Sequence, residues 1–189
     1  MSRNSCQCDY DFTLVLTGIS DLTDEVIDAL FESGCDDGTI SMRSGRPFIT
    51  FSRQAPSMKS AILSAIDNVR KAGVGADVLR VDYCNLVTQA DIARKIGRTR
   101  QLVHQYMIGL RGPGGFPPPI CGITERVPLW LWCEVAYWLW ENDMVKENVL
   151  RDAEEVETIN NVLELQRRKT ENPVLTKEII KAVSPQICS

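Results

Sequence analysis

Thr88-Gln-Ala-Asp-Ile-Ala-Arg-Lys-Ile-Gly97, continued by Arg98-Thr-Arg-Gln-Leu-Val-His-Gln-Tyr-Met-Ile108, decides how the middle of this 189-residue chain folds. Thr88 is a helix-capping residue, and behind it Ile92, Ala93 and Ile96 fall on one face of a helical period. Ala93 is small enough for a second helix to cross closely. Gly97 takes a positive φ without steric penalty, which permits a sharp turn. Thr99 then caps a second helix, Arg100 to Ile108, with Leu102, Val103, Tyr106 and Met107 as its apolar contacts. The pattern predicts two short capped helices hinged on one glycine.

Helix, glycine-centred turn and capped helix make the helix-turn-helix unit, whose second helix enters the DNA major groove. Its other face carries Thr99, Arg100, Gln101, His104 and Gln105. All five hydrogen-bond and none is acidic. Arginine matches guanine and glutamine matches adenine, so Arg100, Gln101 and Gln105 are the candidates for base readout. Arg98 and Thr99 stand where the helix N-terminus meets phosphate, with Thr88 at the head of the preceding helix. His104 is the only histidine, and with no nucleophile and base around it a groove-facing contact is expected rather than catalysis. Taken singly, each of these side chains is an ordinary solvated helix face. The cap spacing and the absence of acid favour binding for the group.

Charge distribution agrees. Residues 1–86 carry a net −4, residues 87–128 a net +4, and residues 129–189 a net −4. A basic island between acidic flanks is what a polyanion-binding module inside a larger protein presents.

Downstream, Gly109-Leu-Arg-Gly-Pro-Gly-Gly-Phe-Pro-Pro-Pro-Ile120 cannot be helical. It leads through Cys121–Arg126 into Val127-Pro-Leu-Trp-Leu-Trp132 and a helix from Glu134 to Asn142. With Thr88-Gln-Ala-Asp-Ile-Ala, Gly97, the Gly115–Pro119 run and Trp130-x-Trp132-x-x-Val135-Ala-x-Trp138, this segment resembles the winged helix-turn-helix of the MerR and excisionase type. The resemblance covers residues 86–140. It implies a wing over residues 111–127, a flexible basic flap, with Arg111 and Arg126 contacting the backbone or minor groove. Arg98 departs from the pattern, which usually has an apolar residue in the turn. The tryptophans at this spacing are expected in the core.

The first domain, residues 1–85, is predicted as β-α-β-β-α-β. Phe12–Thr17 alternates as a strand; Asp21 opens a helix with Val26, Ile27, Leu30 and Phe31 as its stripe and Gly34 as its stop. Thr39–Met42 and Pro47–Phe51 flank Ser44-Gly45 as a hairpin, Ser57 caps a second helix, and Val78–Val81 is a last strand. The order suggests a ferredoxin-like sandwich. It also faintly resembles the RNA-recognition motif, but Val15 and Arg46 stand where base-stacking aromatics belong. A role in self-association or partner docking is expected.

Residues 143–189 are predicted as a helical appendage. Val145, Val149, Ala153, Val156, Ile159 and Leu163 make one stripe, Asn172-Pro173 breaks it, and Thr176 caps a short helix.

The fold class expected is therefore α+β: a ferredoxin-like domain, a winged helix-turn-helix over 86–142, and C-terminal helices. The function expected is sequence-specific binding of double-stranded DNA, as a transcriptional regulator and a homodimer. The alternative is an antitoxin-like or adaptor protein whose acidic N-terminal domain holds a protein partner. No enzyme, cofactor or metal is expected. Seven scattered cysteines without a CxxC pair, and a single histidine, do not make a zinc site. With no signal peptide or spanning segment read from the sequence, a cytoplasmic location is expected.

Overall fold

The computed structural model describes residues 7–83, 85–122 and 127–183. The chain is a mixed α+β protein that divides into two compact units, one of residues 1–82 with 158–189 and one of residues 83–157.

In the first unit, β1 (Cys8–Thr17), α1 (Asp24–Leu30), β2 (Gly38–Arg43), β3 (Arg46–Ala55), α2 (Met58–Lys71) and β4 (Asp77–Val81) follow in order. The four strands form one antiparallel sheet in the order β2-β3-β1-β4. Alternation decides which face is buried: Phe12, Leu14 and Leu16 on β1 and Ile49 and Phe51 on β3 point inward with Ala61, Ile62, Ala65, Ile66 and Val69 of α2. Ser44 and Gly45, with φ of 51° and 72°, join β2 to β3 in a two-residue turn whose twist suits a hairpin.

Several local expectations are corrected. The first helix starts later, because Thr23 rather than Asp21 supplies the cap, its hydroxyl accepting from Val26 N–H. Gly34, at φ 99°, breaks the helical backbone as expected, although it does so inside a short π-helical turn, Phe31–Cys35, that follows the helix. Phe31, expected in the apolar stripe, stands in that turn and is 59% exposed. Strands β1 and β3 extend beyond the predicted ends, because their alternation continues through Tyr10 and Arg53.

The second unit holds β5 (Leu86–Val87), α3 (Gln89–Lys95), α4 (Arg100–Met107), β6 (Trp130–Leu131), α5 (Trp132–Glu141) and the first part of α6 (Glu147–Glu171). β5 and β6 pair antiparallel, and Trp132 N–H donates to Asn85 O at 2.7 Å. Val87, Ile92, Ala93, Val103, Trp130, Trp132, Val135, Ala136, Trp138, Leu139, Leu150 and Ala153 form one core.

The rest of α6 belongs to the first unit, where Ile159 and Leu163 are buried. α7 (Pro173–Val183) completes the chain's described part. Thr176 is not its cap: Pro173 opens the helix, as proline suits the first helical position, and the Thr176 hydroxyl turns back to Asn172 O. None of α7 is buried.

Candidate nucleic-acid interface

α3 and α4 are set by short-range chemistry at both ends. At the head of α3, Thr88 Oγ1 accepts from Asp91 N–H while Thr88 N–H donates to Asp91 Oδ2 at 3.0 Å, a reciprocal capping box. The Thr88 hydroxyl also donates to Asp91 Oδ2 at 2.6 Å. Those Thr88 contacts, then Arg94, hold the Asp91 carboxyl below its ordinary range. A group so shifted stabilises the fold above its ordinary titration range, and that contribution is lost as pH falls through the lowered value. Thr88→Ala is accordingly expected to remove about 1 kcal/mol of stability at neutral pH. Measured by urea unfolding, the gap between variant and wild type should narrow on acidification.

At its other end α3 closes with Gly97 at φ 62°: Arg98 N–H reaches Ala93 O at 2.9 Å and Gly97 N–H reaches Arg94 O at 3.3 Å. α4 ends in the same way, with Leu110 N–H on Gln105 O at 2.9 Å and Gly109 N–H on Tyr106 O at 3.2 Å. Both are Schellman motifs, which satisfy the last carbonyls and turn the chain sharply. Gly97 meets nothing within 4 Å where a Cβ would stand, so its backbone sign, not crowding, calls for glycine.

Gln89 ties the two helices together by donating from Nε2 to Arg100 O at 2.7 Å. Sequence reading missed this contact, since Gln89 looked like one more polar residue in a first turn. Thr99 caps α4 by accepting from Leu102 N–H at 3.2 Å.

Every described candidate readout residue is accessible. Arg98, Thr99, Arg100, Gln101 and His104 are exposed and Gln105 is half-buried, on one short stretch of chain. Thr88 is half-buried, with its hydroxyl engaged in the cap. Arg111 is exposed, and its backbone N–H donates to Gln105 O at 3.1 Å, which holds it at the end of α4. Arg126 lies outside the described residues.

The basic residues separate into two groups. Arg94 pairs with Asp91 at 2.9 Å, and Lys95 Nζ sits 4.1 Å from the Tyr83 ring centre and 4.9 Å from that of Trp132. Arg98, Arg100 and Arg111 meet no carboxylate among the described residues, and no Asp or Glu occurs anywhere in residues 92–124.

The Gly/Pro segment is not a loose flap. Trp138 Nε1 donates to Gly114 O at 2.9 Å and Trp130 Nε1 donates to Pro117 O at 3.0 Å. Phe116 packs edge-on against both indoles, at 5.0 and 6.5 Å between ring centres. Trp130, Trp132 and Trp138 are core residues, as expected, and Trp130 and Trp138 also hold the loop. Beyond it, Cys121 and Leu129 form an isolated antiparallel bridge. Glycine is required at Gly122, where a Cβ would come within 2.4 Å of Val127 O.

Among the described residues no cluster of three metal-ligating side chains occurs, and no helix is long and apolar enough to cross a membrane. Cys133 is no ready nucleophile: burial, then the neighbouring Glu157, pushes its thiol up to about 12. The chain matches no family model, no curated protein and no solved structure.

Proposed function

We propose that this protein binds double-stranded DNA in a sequence-specific way, with α4 in the major groove and the 111–127 segment along the backbone or minor groove. The observation that carries the reading is the exposed, acid-free ridge from Arg98 to Gln105, mounted on a helix pair capped and closed at both ends. Arg100 and Gln101 are free to meet base edges, and Arg98 and Arg111 to meet phosphate. The bridge at Cys121–Leu129 and the anchored loop before it favour a winged helix-turn-helix. In the first unit, the strand order β2-β3-β1-β4 with a helix after β1 and another after β3 supports the ferredoxin-like reading. On this account the protein is a cytoplasmic transcriptional regulator that acts as a homodimer and carries out no catalysis.

Selection of bound sequences from random duplexes, followed by anisotropy titration on the selected site, tests the proposal. The guanidiniums of Arg98 and Arg111, each on a phosphate, would each contribute about −0.9 to the log–log salt slope. Arg100→Ala is expected to reduce the preference for the selected site by about 10- to 100-fold, while Arg111→Ala weakens selected and random duplexes alike. If the wild-type protein enriches no sequence and holds all duplexes equally weakly, the reading is wrong.

A further inference from the structure

The sheet of the first unit has two edges, and they are treated differently. Along β4, Val81 N–H donates to Asn160 Oδ1 at 2.8 Å while Asn160 Nδ2 donates to Val81 O at 3.1 Å. One carboxamide from α6 thus occupies both backbone groups of that residue. Along β2 nothing comparable occurs. Ser52 N–H reaches Asp37 O at 3.2 Å, and the register pairs Gly38 with Phe51. In an antiparallel ladder this parity turns Thr39, Ser41 and Arg43 toward β3. Gly38, Ile40 and Met42 therefore point their N–H and C=O groups away from the sheet, and among the described residues no backbone or side-chain hydrogen bond reaches them.

Exposed edges are normally blunted by lysine, proline, a bulge or an inward charge. Gly38-Thr-Ile-Ser-Met42 carries no charge and no proline, and its register with β3 runs unbroken from Gly38 to Arg43. Its end is also electrostatically awkward. Arg43 and Arg46 are direct cross-strand partners, and like charges placed opposite one another repel. At the other end of the strand stand two exposed acids, Asp36 and Asp37, of which Asp37 is bound to Arg53.

We propose that β2 pairs antiparallel with β2 of a second copy of this chain, about a two-fold axis at Ile40. Only backbone groups that face outward can join, so Gly38 meets Met42 of the second copy, Ile40 meets Ile40, and Met42 meets Gly38. Sliding by two residues either way leaves an outward residue unmatched. The same register sets Arg43 of each copy beside the Asp36–Asp37 corner of the other, so the repelling arginine pair gains an acidic neighbour at both ends. A self-complementary patch is what a two-fold interface demands. The pairing would merge two four-stranded sheets into one, and it does not rest on the nucleic-acid reading.

Sedimentation of the full chain over roughly 1–100 μM, where a modest interface associates, is expected to give a concentration-dependent dimer. Ile40→Pro removes an outward N–H without touching the β3 ladder, so it should yield a monomer. Arg43→Asp should weaken association at least tenfold, and adding Asp36→Arg to it should restore the dimer. If Ile40→Pro fails to fold by circular dichroism, the charge pair decides alone. A wild-type monomer at every concentration overturns the proposal, as does a dimer indifferent to these substitutions or one that the double variant does not restore.

Discussion

Arg53→Ala is expected to lower the unfolding free energy by about 2–3 kcal/mol, through the loss of charge-assisted hydrogen bonds from a buried guanidinium whose acidic partner, Asp37, is itself exposed. Arg53 is the only charged residue buried in the described chain, at 8% exposure. Its guanidinium is fully engaged. Nε and Nη2 each donate to Asp37 at 2.7 Å, Nη1 donates to Ser64 Oγ at 3.0 Å and to Asn68 Oδ1 at 2.9 Å, and Nη2 also donates to Gly34 O at 2.7 Å. The hydrogen bond to Asp37 raises its pKa further, so it stays charged at any working pH. Alanine would take the guanidinium from all four partners at once and remove the link between β3, α2 and the π-helical turn. Arg53→Met fills much of the space but still leaves Asp37 unpaired, so it should recover only part of the loss. Urea unfolding of both variants checks this; an Arg53→Ala loss under 1 kcal/mol would mean that the network is ornamental.

The second large effect is expected at Trp138. Its ring lies 5.5 Å from Tyr106 on α4 and 5.0 Å from Phe116 in the loop, while its indole N–H holds Gly114 O. One side chain of α5 therefore joins the core, α4 and the Gly/Pro segment. Trp138→Ala should cost about 3–5 kcal/mol through the cavity it opens. Trp138→Phe keeps most of the packing and should cost nearer 1 kcal/mol, the value of the lost hydrogen bond. If the two variants were equally stable, packing around the ring would carry none of the energy. On the proposed function, Trp138→Phe should also weaken duplex binding, because Arg111 lies at the start of the loop that it fixes.

What could be read from the sequence follows from how far each signal reaches. The capping residues Thr88 and Thr99, the glycine at 97 and the hairpin at Ser44-Gly45 act over three or four positions, and all four appear where expected. The β5–β6 pairing was not legible. It joins Leu86–Val87 to Trp130–Leu131, and two residues per strand offer no periodicity to detect. The Trp138–Gly114 and Trp130–Pro117 bonds were invisible for a related reason, since a backbone carbonyl leaves no trace in residue identity. Arg53 was within reach. Ile49, Phe51, Arg53 and Ala55 share one parity, which places the arginine on the buried face, but its acid lies 16 positions away and nothing local points to it. The exposed ridge on α4 was read from its composition, and the structure adds that its arginines have no described acidic neighbour.

The indole donors also bear on which lengths of loop this architecture accepts. Trp130 and Trp138 sit eight positions apart, one just before α5 and one within it, so the spacing between Pro117 O and Gly114 O is gauged by a helix that cannot stretch. Most surface connections absorb insertions readily, because closing a longer loop adds little entropy. Here an added residue between Gly114 and Pro117 would carry one carbonyl out of reach and strand an indole N–H in an apolar core. Chain-length variation among descendants of this sequence should therefore avoid this stretch, and the Gly-Gly-Phe-Pro span should be copied without gain or loss.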